Sequence, residues 1–132
     1  MSNKTIISAK VASTLSAQRI VAAAASAFTV CYPTAAAHMP IGITLDTVKD
    51  ITQALPVQLN GPAYGYFNDT VAAGALVAAD TSGRAVPFSL ALTSTAISAP
   101  SAYVGLLWDA AVAATGAVAQ ILIHPGFDRK SA

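Results

Sequence analysis

The chain contains no glutamate; all six of its acids are aspartates, at positions 46, 50, 69, 80, 109 and 128. Glutamate is at home inside helices, whereas aspartate competes for backbone hydrogen bonds and favours turns and caps. An acidic complement made only of Asp therefore marks places where a chain reverses, and between these marks the apolar residues fall into short runs. Arg19 to Ala22, Ala27 to Tyr32, Ile41 to Leu45 and Val57 to Asn60 are β-compatible and are punctuated by Pro33, Pro40 and Pro56. The pattern predicts an all-β protein with many corners.

Further along, Asn60-Gly61 separates Pro56–Leu59 from Ala63–Phe67, with Pro62 set against an ideal two-residue hairpin. Asp69 to Gly74 reads as a polar-to-glycine corner. Ala75–Ala79 and Arg84–Phe88 flank Asp80-Thr-Ser-Gly83, where an Asp start and a Gly end predict a type I turn closing through a left-handed glycine. Residues 89 to 102, rich in Ser, Thr and Ala, read as a loop or irregular strand. Tyr103–Trp108 and Ala117–Ile123 read as strands joined by a turn or short helical segment over 109–116, and His124-Pro125-Gly126 as the end of the last strand. The alanine groups at 22–25, 35–37 and 110–114 admit at most one or two short helices. The expected architecture is a compact antiparallel β-sandwich or barrel-like domain over 18–127. An extended N-terminal arm over 1–17 precedes it, and a C-terminal tail over 128–132 follows.

Ile41-Gly-Ile-Thr-Leu-Asp46 is echoed by Val104-Gly-Leu-Leu-Trp-Asp109, each followed after a short connection by another apolar strand. Two copies of so loose a pattern fit a duplicated unit and chance repetition alike.

Charged residues are only 10% of the 132, against roughly 25% in an average soluble domain, while 55% are hydrophobic. Such a chain either enters a membrane or covers its surplus apolar area with neighbouring subunits. The most membrane-like stretch, Ile20 to Val30, is shorter than the roughly 20 residues of a spanning helix and consists largely of alanine. Lys4, Lys10 and Arg19 precede it, yet they lie too far apart for a compact secretory signal. A net charge of +1, with no basic cluster beyond Arg129-Lys130, argues against nucleic acid. The composition thus points to self-association, with no membrane and no nucleic-acid partner.

No catalytic constellation emerges. His38 and His124 lack sequence-near partners, no metal-ligand spacing occurs, and Gly42, Gly61, Gly65 and Gly74 form no phosphate-binding loop. No serine sits in a nucleophile elbow. The reading is a protein that is not an enzyme and uses no cofactor or metal. Cys31, the single cysteine, excludes an internal disulfide and reads as a small buried apolar residue in a strand. The residues that stand out suit contact instead: Ile6, Ile7, Val11 and Leu15 as apolar anchors along the arm, and Tyr64 and Tyr66 on one face of one strand.

The run Asp69-Thr-Val-Ala-Ala-Gly-Ala-Leu-Val-Ala-Ala-Asp-Thr-Ser-Gly-Arg-Ala-Val86 resembles the capsid decoration, or cement, proteins of bacteriophages. The ending in Val104-Gly-Leu-Leu-Trp-Asp-Ala-Ala and Gly116-Ala-Val-Ala-Gln-Ile-Leu-Ile123 is similar to theirs as well, and the resemblance spans roughly residues 40 to 126. It implies a β-rich domain, often a homotrimer, made in the host cytoplasm. Such a domain binds the outside of the virion capsid and tightens contacts among major capsid protein subunits. It carries over no catalytic residue, and the alanine-rich N-terminal part departs from the compact start of many such proteins. Other virion parts (tail tube, head completion or fibre) share the low charge and β-richness, and a secreted surface- or carbohydrate-binding β-module is the reading from a second class.

Overall fold

The computed structural model describes residues 5–34, 39–88, 101–110 and 116–128. Among them there are ten strands and no helix, as the turn-forming acids and short apolar runs require. The first five strands close into a barrel in the order β1-β3-β2-β4-β5: β1 (Ile6–Val11), β2 (Ile20–Ala23), β3 (Thr29–Cys31), β4 (Pro40–Thr44) and β5 (Leu55–Gln58). The other five form a sheet in the order β6-β10-β9-β7-β8: β6 (Gly61–Tyr66), β7 (Leu76–Ala79), β8 (Ala85–Pro87), β9 (Ser101–Leu107) and β10 (Val118–Asp128). All pairings are antiparallel except β1 with β3.

Two expectations change here. The separate arm over 1–17 is, from Ile6 onward, a structural part of the barrel: β1 pairs with β5 from Ile6↔Gln58 to Ala9↔Leu55, and with β3 at Lys10 and Val11. Closing a barrel removes two exposed edges, and that gain needs long-range partners which local periodicity does not reveal. The last strand likewise does not stop at His124-Pro125-Gly126. Proline has no amide to donate, so the β9–β10 register shifts between Ile123 and Gly126 and then resumes to Asp128.

The expected corners hold. At Asp80, Oδ1 accepts the amides of Ser82 and Arg84, both at 2.9 Å, while Gly83 sits at φ +74°. Asp46, Asp69 and Asp109 each accept the amide of the next residue. Asp128 breaks the rule, since its backbone lies within β10. The Asn60-Gly61 turn makes no hairpin; with Gly61 at φ +77° it carries the chain out of the barrel and into the sheet.

Two apolar cores follow. Val11, Leu15, Val21, Val30, Leu55 and Val57 fill the barrel, and Phe67, Val77, Val104, Leu107, Ile121 and Ile123 lie beneath the sheet. Ile20 and Ile43, from barrel strands, belong to the sheet's core, so β2 is buried on both sides and fuses the two halves. The remaining edge of β6 is guarded: the Tyr66 amide donates to Gln18 O at 2.9 Å, and Phe67, just past β6, bridges Ala85 of β8. Arg19 lies over the Tyr66 ring, 4.3 Å from its centroid.

The echo between β4 and β9 has a physical counterpart. A Cβ on Gly42 would collide with the Gln58 carbonyl, and one on Gly105 with the Leu122 carbonyl, so each glycine lets its strand press on the next. The alanine group at 35–37, His38 and most of 89–102 and 110–114 lie outside the described residues.

Candidate partner interface

The structure separates the expected contact residues into three sets. Val11 and Leu15 are 6% and 2% exposed and pack inside the barrel, so the expectation that they anchor a partner is corrected: the same apolar character that suggested a clasp serves the core. Ile6 is 53% exposed on the outer face of β1, whereas Ile7, on the face of β1 that carries the buried Ala9 and Val11, remains 36% exposed. On β6, Tyr64 is 53% exposed, whereas Tyr66 is half-buried beneath Arg19. The two tyrosines share a face, opposite Gln120 and Val118 on β10.

The most exposed large apolar side chain among the described residues lies in a run whose pattern predicts a strand. Phe28, 85% exposed, sits in the β2–β3 turn at φ +57°, a left-handed conformation that bulky residues rarely adopt. It is held there by its neighbours: Lys10 N donates to Phe28 O at 2.8 Å, and Thr29 Oγ1 donates to Ala27 O at 3.0 Å. Phe28, Ile7, Ala23 and Ile41 line an apolar groove of about 360 Å³ on the barrel. A second groove, lined by Lys10 and Ile51, adjoins it at Ser26 and Thr29. A strained backbone that holds an aromatic ring out in water beside an apolar groove is the arrangement of a contact anchor, because it lowers the entropy lost when a partner covers it. The only sequence signal for it was a lone Phe amid alanine and serine.

The remaining candidates carry little chemistry. Cys31 lies in β3 as expected but is half-buried rather than buried, and desolvation raises its thiol pKa. His124 is exposed at the β10 bulge. Among the described residues no three His, Cys, Asp or Glu side chains gather as a metal site would need, and no helix is long and apolar enough to cross a membrane.

The architecture has a known counterpart. The chain shares its fold with the head fiber gp8.5 N base of bacteriophage phi29. The crystal structure of that protein superposes with a TM-score of 0.64 at 16% identity, over 92% of this chain and 94% of the other. No family model and no curated protein matches the sequence. The residues behind the decoration-protein resemblance prove to be scaffold: Asp69 to Val86 forms a corner and the β7–β8 hairpin, with Gly74 and Gly83 at positive φ.

Proposed function

We propose that this chain is a structural subunit of a bacteriophage virion, seated on the outside of the head through the barrel face that carries Ile7, Phe28 and Ile41. The observation that carries the reading is the fold shared with a phage head-fibre base over nearly the full length of both chains. Physical chemistry supports it: 10% charge, a projecting Phe28 and an apolar groove suit a protein whose outer surface is partly covered in an assembly. The partners under this reading are the major capsid protein and further copies of the chain, and no enzymatic step is involved.

Two roles fit a head-exterior subunit: stabilising contacts among capsid subunits, and serving as the base of a fibre. The resemblance over Asp69–Val86 favours the first and the fold match favours the second. Heating heads with and without bound protein separates them. A decoration protein that bridges neighbouring capsid subunits must be released before they part and so raises the temperature at which heads release DNA, and a fibre base held within a single capsid subunit leaves that temperature unchanged. Mass spectrometry of purified particles before and after tail removal tests location: the reading requires the chain to remain with the heads, and its loss with the tails overturns it.

A further inference from the structure

A cleft of about 280 Å³ lies where barrel and sheet meet, away from the Phe28 groove. Its walls carry three glutamines, Gln18, Gln58 and Gln120, together with Thr44, Leu45 and Tyr64, and no Lys, Arg, His, Asp or Glu. We propose that this cleft and the aromatic row beside it bind a neutral saccharide of two or more rings.

Gln58 provides the first argument. The residue is 3% exposed, and its Nε2 donates to Asn60 O and Pro62 O, both at 2.8 Å. Both donor hydrogens are thereby committed, and Oε1 accepts no hydrogen bond among the described residues. The residue is buried, yet Oε1 is not among the buried side-chain atoms left without a partner, so this oxygen is the part of Gln58 that stays open to solvent. Gln58 thus presents a fixed acceptor to the cleft, and the side-chain amides of Gln18 and Gln120 make no hydrogen bond among the described residues either. Amides offer donors and acceptors together, as hydroxyl groups demand of their partners.

The second argument is the row itself. In the β6–β10 register Tyr64 faces Gln120. In the β9–β10 register Leu107 faces Ile121, so the next residue, Trp108, stands beside Gln120, whose carbonyl accepts the Trp108 amide at 2.9 Å. Tyr64 and Trp108, 53% and 58% exposed, therefore flank one amide across three strands, about 9.6 Å apart at two inter-strand spacings. A pyranose ring has an apolar face that stacks on an aromatic ring and a rim of hydroxyls that bonds amides, and the row alternates these two demands. An apolar protein partner does not need the central amide, and a nucleic acid needs cations that the cleft lacks.

The site is preformed. Gln18 is fixed at φ +61°, its amide donating to Thr44 O and its carbonyl accepting from Tyr66, both at 2.9 Å. Binding here is separate from the head contact proposed above, and it succeeds or fails independently of it.

The probes are maltotriose, cellotriose and triacetylchitotriose, with sialyllactose as the charged comparison. Emission of Trp108, the single tryptophan, and amide-resolved NMR of the full chain report binding. At least one neutral trisaccharide is expected to bind saturably and to shift the Gln58 and Gln120 resonances. Tyr64→Ala and Gln120→Ala should each weaken it roughly tenfold, while Phe28→Asp leaves it unchanged. Retention on beads of the matching insoluble polysaccharide identifies a surface polymer as the source, and binding of the soluble probe alone identifies a free oligosaccharide. Absence of saturable binding by all three neutral probes overturns the proposal, as does preference for sialyllactose or binding that survives both substitutions.

Discussion

Gly83 offers the sharpest test of the packing described here, because two separable costs meet at one position. Its φ of +74° lies in the left-handed region, where adding a Cβ costs about 1 kcal/mol. In addition, that Cβ would lie 2.6 Å from Tyr32 Cδ1 and 2.8 Å from Ile20 O. Overpacking of this kind adds about 1–3 kcal/mol. The turn cannot simply retreat, since the Gly83 carbonyl accepts the Ile20 amide at 2.7 Å and so ties the hairpin to the barrel. Gly83→Ala should therefore cost about 2–4 kcal/mol, a drop in Tm on the order of 10 °C for a domain of this size. Gly74→Ala supplies the control for the backbone term. Gly74 has φ +77° but nothing within 4 Å of its would-be Cβ, so its cost should stay near 1 kcal/mol. Ser82→Ala, at an exposed position of the same turn, should be nearly neutral. Chemical and thermal denaturation of the three variants measure these differences. Equal losses for Gly83→Ala and Gly74→Ala would refute the claim that the hairpin turn packs on the barrel.

Three further outcomes follow from the same structure. The charge deficit and the exposed barrel face predict a homo-oligomer, a trimer if the decoration resemblance holds; sedimentation velocity at micromolar concentration should show it, and a sharp 13.3 kDa species would contradict it. Deleting residues 1–11 removes β1 from between β3 and β5 and should abolish the cooperative unfolding transition, whereas a dispensable arm would leave circular dichroism and Tm unchanged. Asp50 is fully exposed, and hydrogen bonds from the backbone and side chain of Thr52 hold its carboxyl below the usual carboxylate range. Because the folded value is the lower one, the turn's contribution is present above the unfolded value and lost as pH falls through the folded one. The Thr52 amide resonance should report that transition, and Asp50→Asn should remove it.

Much of the fold was legible because its corners are local. Asp80 to Gly83 needs only an Asx-type acceptor and a glycine tolerant of positive φ, and both are written into four consecutive residues. Strand positions followed from apolar runs bounded by Pro, Gly and Asp. Long-range partnership was not legible: Ile6 to Val11 has no period that announces a barrel strand, since its partners lie in β3 and β5, the latter some fifty residues away. The same gap affected the contact residues. Ile7 even shares the face of β1 that carries Val11 and differs from it only in how far the closed barrel covers it, while Phe28 is held outward by a left-handed turn that no local pattern announces. The saccharide cleft was hidden for a related reason. Gln18, Gln58 and Gln120 are scattered in sequence and meet only where barrel and sheet join.

The central proposal, attachment to the outside of a phage head through the barrel face, is tested most directly by co-sedimentation with undecorated phage heads. Phe28 contributes little to the core at 85% exposure, so Phe28→Asp should keep the circular dichroism and Tm of the parent while placing a charge where a partner would cover it. The parent protein is predicted to pellet with heads saturably, and folded Phe28→Asp to stay in the supernatant. Parent protein that remains in solution at every head concentration would contradict the account.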